Sequence, residues 1–243
     1  MLILGIETAT DQVGCAIGGH EGVLASFHAA RGRRHAEILT PAIEFTCRQA
    51  RVDLREVGVI AVDLGPGLFT GLRVGVATAK AMAQALRVPV IGVSSLDLLA
   101  FAVRYTNRLV VAVIDARRGE LFYAFYRQVP GGVQRLSEYQ LGAPSDVASE
   151  LLARGEECLV VGDGALRYRT VFEDVARTEF GTVGNAYPSA AALVELAHPR
   201  ALREEFVQPW EVAPLYLRRA DAEVNWELRP LRQGAGLRQR HTA

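Results

Sequence analysis

At 243 residues the chain is long enough for one large domain or two small ones with a full hydrophobic core. Half of it is hydrophobic, yet no apolar run reaches bilayer length. MLILGIETATDQVG starts directly as a strand, with no basic leader or cleavage site, which reads as a soluble, cytoplasmic protein. A formal charge of zero argues against a strongly basic nucleic-acid surface. The three separated cysteines and five scattered histidines offer neither a disulfide framework nor metal-ligand spacing.

In chain order, residues 2–7, 13–18 and 23–29 read as strands. The first two are joined by the polar turn Thr8 to Gln12, the next two by the glycine-rich turn 18–22. RRHAEILTPAIEFTCRQA is helical, with Ile38, Leu39, Ala42, Ile43 and Thr46 on one face and Pro41 either kinking it or marking its first turn. A buried strand from Val57 to Leu64 meets the turn Gly65-Pro66-Gly67. An alanine-rich helix over Thr70–Leu86 follows, with Phe69, Leu72, Val76 and Ala79 at helical spacing. VPVIGVSS is another apolar run, and Ser94 or Ser95 caps the helix LDLLAFAVRY. LVVAVIDARRGELFYAFYRQV reads as two strands around an Asp-Ala-Arg-Arg-Gly turn, and a helix follows at Pro144–Arg154. ECLVVGDGALRYRTVFED is strand, turn and helix with Asp163 as the cap; SAAALVELAHPRAL is a helix stopped by Pro199; APLYLRR is the last ordered element. Residues 229–243 are expected to be a disordered basic tail.

This order gives two α/β units of related design. The expected division is 1–104 and 105–208, with 209–222 packing back on the first unit.

Strand, glycine turn and helix together present free backbone N–H groups and a positive dipole end, a natural anion site. The P-loop signature fails because Gly71 is followed by Leu72 and Arg73. The dinucleotide fingerprint fails because Thr70 stands where its third glycine belongs. Thr8, Gly65, Gly67, Thr70 and Gly71 therefore form either an anion cradle or a folding device for close packing.

Taken together, ILGIETATDQVGCAIG, HAEILTPAI, GPGLFTGLRVGVATAKAMA, VVAVIDARRGELFYAFY and the late PLYLRRADAE resemble the TsaB family, also called YeaZ. The resemblance is close over roughly the first 128 residues and in the C-terminal motif. It implies a two-lobed actin/hexokinase/Hsp70-like fold, each lobe a mixed sheet flanked by helices. It also implies a non-catalytic subunit without a cofactor that pairs with TsaD, the transferase that places threonylcarbamoyl on the adenosine beside the anticodon of tRNAs reading ANN codons. The P-loop ATPase TsaE and tRNA enter through that complex, and a homodimer forms when the partner is missing. TsaD carries an HxxxH metal motif where this chain reads Ser94-Ser95-Leu96-Asp97-Leu98-Leu99, and one aspartate among leucines does not hold iron or zinc. Glu7 stands where nucleotide-using relatives of the superfamily place an aspartate.

The resemblance implies that the helices around 35–48 and 70–86 form the partner contact, with candidates His35, Ile38, Leu39, Ile43, Phe69, Leu72, Val76 and Lys80. The same residues at helical spacing also suit packing on their own sheet. Two alternatives are a stand-alone nucleotide-dependent kinase using Glu7 and the Gly65–Gly71 turn, and a peptidase built from Ser94 or Ser95 with His35 and Asp63 or Asp97.

Overall fold

The computed structural model describes residues 1–30, 32 and 34–218. Strand β1 (Leu2–Glu7) is buried on both faces because it is the centre of a five-stranded mixed sheet. It pairs antiparallel with β2 (Val13–Gly19), which pairs with the edge strand β3 (Gly22–Ala29). On its other side it runs parallel to β4 (Val57–Asp63), followed by β5 (Val90–Val93). Parallel neighbours need a crossover, and α1 (His35–Ala50) and α2 (Phe69–Leu86) supply the two crossovers. Both helices lie on one face of the sheet. Leu39, Ala42, Ile43, Val76, Ala79 and Ala83 pack there against Leu4, Ile6, Cys15, Ile60 and Val62. Removing each larger aliphatic side chain from water contributes about 1.5–3 kcal/mol.

After α3 (Ser95–Ala102) the same plan is repeated. β6 (Leu109–Arg117) is central, antiparallel to β7 (Glu120–Val129), whose far edge takes β8 (Gly132–Arg135) and β9 (Gln140–Gly142). Past α4 (Pro144–Arg154), β10 (Cys158–Val161) joins parallel to β6. Past the short helices α5 (Asp163–Arg167) and α6 (Arg169–Glu173), β11 (Thr178–Phe180) joins parallel to β10. Each half then ends in a helix placed between the sheets. α3 packs Leu96, Leu99 and Ala100 on β6 and β7, while its Leu98 and Phe101 meet the first sheet. α7 (Ala190–Leu202) packs Leu193, Val194 and Ala197 on Ile3, Ala16 and Val59. The fold is thus two mixed sheets flanked by helices.

Several expectations need correction. α7 belongs by packing to the first sheet, so the unit expected over 105–208 lends its last helix to the other one. Pro199 does not stop α7. The helix continues to Leu202 because buried Ala197 and Ala201 hold its last turn against the sheet, while Pro199 stays exposed. Asp163 is not a cap. Gly162 precedes the helix at φ +109°, and the Asp163 carboxylate accepts the Asp115 N–H instead. α1 runs on through Pro41 to Ala50. β8, β9 and β11 are short additions that the sequence pattern did not mark.

Within APLYLRR, residues 213–218 are not a regular element. The segment from Val207 onward is a strap held at intervals: Val207 bridges Val90, Lys80 Nζ donates to the Val212 carbonyl (3.1 Å), and Leu215 N–H donates to the Leu64 carbonyl (2.7 Å). The expected tail, 229–243, and residues 219–222 lie outside the described residues. Among the described residues no helix is long and apolar enough to cross a membrane.

Candidate functional site

The C-terminal ends of β1 and β4 and the turns beyond them converge where the two sheets meet. The Thr8–Gln12 turn, polar in sequence, is mostly buried. It sits directly on the N-terminus of α2. The Leu68 N–H donates to the Ala9 carbonyl (2.7 Å), and the Thr8 hydroxyl donates to the Gly71 carbonyl (2.8 Å). His35 donates from Nε2 to the Thr10 carbonyl at 2.7 Å, tying α1 to the same turn. The approach is so close that only glycine fits. A Cβ on Gly67 would lie 2.1 Å from the Ala9 oxygen, and one on Gly71 would lie 2.1 Å from the Thr8 oxygen. Thr8 meets Gly71, Gly67 meets Ala9, Gly65 lies against Leu72 and Gly67, and Thr70 is exposed on the first turn of α2, while the chain's own turn fills the space in front of Gly67 and Gly71. Of the two readings open in the sequence, these contacts favour the folding device.

Glu7 and Asp63 end β1 and β4. Ile6 pairs with Val62, so the next residues are cross-strand neighbours. Alternation along the strands sends both side chains to the face that carries Ile3, Val59 and Ala61, towards α3 and α7. Each carboxylate is at most 1% exposed. Glu7 Oε1 accepts the Ala9 N–H (2.7 Å). Asp63 Oδ1 accepts the Gly65 N–H (2.7 Å) and the Ser95 hydroxyl (2.6 Å). Glu7 Oε2 and Asp63 Oδ2 have no hydrogen-bond partner. Burial first, and the neighbouring Asp63 second, push the Glu7 carboxyl well above its ordinary range. Burial likewise pushes Asp63 up to about 7, against the two hydrogen bonds to its other oxygen. Like charges on two buried neighbouring carboxylates repel, so the doubly ionised pair is disfavoured.

Across the junction lies the turn between β6 and β7. Arg117 and Arg118 both adopt left-handed backbone there, at φ +63° and +58°. That turn aims the Arg117 guanidinium at two carboxylates, Asp11 of the first turn (2.7 Å) and Asp115 (3.1 Å). Asp115 also takes Arg167 at 3.2 Å. Burial raises Asp163 beside it to about 6. Gln12 donates to the Pro188 carbonyl (2.9 Å), and Arg218 donates to the Ala116 carbonyl (2.8 Å) and pairs with Glu120. The two turns that face each other across the junction are therefore joined by the chain's own polar groups.

The chemistry proposed for Ser94, Ser95, His35 and Asp97 does not assemble. Ser95 meets Asp63, but His35 is committed to Thr10. Ser94 accepts the Leu96 N–H as the helix cap, and both Asp97 oxygens are taken by the hydroxyls of Tyr126 and Tyr139 at 2.8 Å. The Ser94–Leu99 segment thus offers two hydroxyls and one engaged carboxylate, donors that do not fit iron or zinc. Among the described residues no three His, Cys, Asp or Glu side chains gather as a metal site requires.

The partner-contact candidates also divide. His35, Leu39, Ile43, Leu72 and Val76 are at most 5% exposed, and Leu39, Ile43 and Val76 belong to the core between the helices and the sheet, so these five do not offer surface. Ile38, Phe69 and Lys80 are reachable. Phe69 stacks on Tyr216 of the strap (5.3 Å between centroids) under the Arg73 guanidinium (3.9 Å). The outer surface of the two helices carries Ala77 and Ala81, small residues that suit close helix approach, and also Pro41 and Phe45, which periodicity did not select. Sequence reasoning also passed over Asp11, Arg117 and Arg167. The one available signal was the double arginine in the turn, where glycine or asparagine would be commoner.

In comparison with known proteins, residues 23–226 match the family described as TsaD: tRNA N6-adenosine threonylcarbamoyltransferase. The chain is 28% identical over 228 residues to the tRNA threonylcarbamoyladenosine biosynthesis protein TsaB of Bacillus subtilis, covering 93% of this chain and 98% of that protein. It is similar to the solved structure of YeaZ from Pseudomonas aeruginosa at TM-score 0.78 and 27% identity, over 89% of this chain and 99% of that one. The ROK hexokinase of Thermus thermophilus aligns at TM-score 0.50 and 12% identity, over 84% of this chain and 100% of that one, a likeness of fold alone.

Proposed function

The chain belongs to the TsaB (YeaZ) family, and on that premise we propose that it is a non-catalytic subunit of the tRNA threonylcarbamoyladenosine system. It acts by pairing with the transferase subunit, TsaD, and supporting transfer of threonylcarbamoyl to the adenosine beside the anticodon. The observation that carries the non-catalytic part is the state of the junction. The turn that a phosphate would approach is packed against Gly67 and Gly71, and Arg117 bonds to Asp11 across the gap. The Ser94–Leu99 segment offers no metal donor set, and its aspartate is held by two tyrosines. A stand-alone nucleotide-dependent kinase would need that junction open, so ATP with magnesium should give no calorimetric binding signal with the isolated chain.

The partner surface is the outer side of α1 and α2. Phe45, Pro41, Ile38, Phe69, Ala77, Ala81 and Lys80 form a mixed apolar and small-residue face there, and small side chains let another helix approach closely. TsaE and tRNA are met through the assembled complex, the protein works in the cytoplasm, and the same face serves a homodimer when TsaD is absent. The test is co-elution. Purified chain mixed with TsaD at micromolar concentration should run as one complex and restore modification of an ANN-decoding tRNA; clean separation with no effect on the reaction refutes the reading.

A further inference from the structure

The least explained feature of the molecule is the pair of carboxylates at the ends of β1 and β4. They are cross-strand neighbours on the same face, both fully enclosed, and each keeps one oxygen with no donor while its other oxygen is bonded to local backbone. Two such oxygens facing the same layer lack one thing, a hydrogen. We propose that Glu7 and Asp63 hold one proton between them in the folded protein, and that losing it to solvent base as pH rises loosens the joint where the Thr8–Gln12 turn meets α3 and α7.

The surroundings contain both kinds of influence. The first turn brings Gln12 and the Thr10 and Ala9 backbone to Glu7, donors that favour its charged form but weigh less than burial and Asp63. α3 brings the Ser95 hydroxyl and, further off, the Asp97 carboxylate, which adds negative charge; α7 brings Ala190. The charges acting on the pair are thus the two partners themselves and Asp97, all of one sign. The Asp11, Asp115, Asp163 and Arg117 groups of the facing turns are engaged with one another. The hydrogen bonds to Glu7 Oε1 and Asp63 Oδ1 fix both side chains in place, so neither carboxylate swings out to water without breaking the turn it caps. Loss of the proton therefore acts on the backbone at Ala9 and Gly65. This inference holds whether or not the chain pairs with a transferase.

The sign follows from linkage. The folded state keeps the proton to higher pH than the unfolded chain, so unfolding releases it, and stability is full at low pH and falls as pH rises through neutrality. The test uses the full chain: urea unfolding from pH 5.5 to 9 for the wild type, Glu7→Gln and Asp63→Asn. Both amides retain the accepting oxygen and add the missing donor. In the wild type the folding constant should fall by up to about tenfold per pH unit, the limit for one proton, from the ordinary carboxylate range up to the pH at which the folded pair loses its proton, and level off above it. Either substitution should flatten that dependence and leave the variant the more stable form at pH 8.5. Infrared difference spectra of the folded wild type at pH 6.5 should show a protonated-carboxyl stretch that Glu7→Gln or Asp63→Asn alters, and this readout does not depend on the stability of either variant. The same pH dependence in wild type and variants, or no protonated carboxyl at pH 6.5, overturns the proposal.

Discussion

Gly71→Ala asks whether the glycine turn is a device for close packing. In an open helix the substitution would stabilise by about 1 kcal/mol, because alanine is the better helix former. Here the new Cβ would lie 2.1 Å from the Thr8 carbonyl oxygen and 3.3 Å from His35 Nε2, below the 3.0 Å that real Cβ contacts essentially never undercut in the first case. The carbonyl belongs to a buried turn pinned by the Thr8–Gly71, Leu68–Ala9, Glu7–Ala9 and His35–Thr10 hydrogen bonds. Moving the turn by about 1 Å strains or breaks two to four of these at about 1 kcal/mol each, so the net loss after the propensity gain is about 1–3 kcal/mol. That is a sizeable part of a typical stability of about 5–15 kcal/mol and corresponds to a fall in Tm of about 2–12 °C. Equilibrium urea unfolding followed by circular dichroism checks it, with Ala77→Gly on the exposed face of the same helix as the reference, expected to lose about 1 kcal/mol. A Gly71→Ala protein more stable than wild type would refute the reasoning, since it would mean the turn does not press on the helix.

Other outcomes follow from the same contacts. Phe45→Asp, at a side chain 43% exposed, should change stability by less than about 1 kcal/mol but weaken co-elution with TsaD at least about tenfold; unaltered association would remove the outer face of α1 from the partner surface. Leu39→Ala, at a side chain 1% exposed, should cost about 2–5 kcal/mol in urea unfolding, and a cost near zero would return Leu39 to the surface. Arg117→Gln removes a partly exposed pair with Asp11 and should cost about 1 kcal/mol or less, because Asp115 keeps Arg167; a double-mutant cycle with Asp11→Asn should find the coupling, and zero coupling would mean the turns are held by other contacts. Burial holds the Cys15 thiol up at about 11, so only about one in a thousand is thiolate at pH 8 and a thiol reagent should modify it at the rate of unfolding; immediate modification of the native protein at Cys15 would contradict that burial.

Much of the architecture was legible because it is local. Alternating runs and glycine turns marked the central strands, helical spacing marked α1 and α2, and Ser94 was visible as one of two caps for α3, each set by interactions within a few residues. The glycines of the turn were legible as special, but their reason was not. It lies in the Ala9 and Thr8 carbonyls, some sixty residues earlier in the chain, and only folding brings those into place. The same separation explains the errors. Pro199 reads as a stop, yet the packing of Ala197 and Ala201 outweighs one lost hydrogen bond. Leu39, Ile43 and Val76 carry the periodicity of a helix face, but period alone does not say whether sheet or partner lies opposite, and here it is the sheet.

The sequence by itself determined which segments become the central strands and the longer helices, and that the fold repeats one plan, because local geometry and burial pattern are properties of neighbouring residues. Tertiary structure alone decided that α7 crosses to the first sheet, that Arg117 reaches Asp11, and that Glu7 and Asp63 lie side by side. Those outcomes depend on groups far apart in the chain, whose energies of contact exist only once the backbone has brought them together.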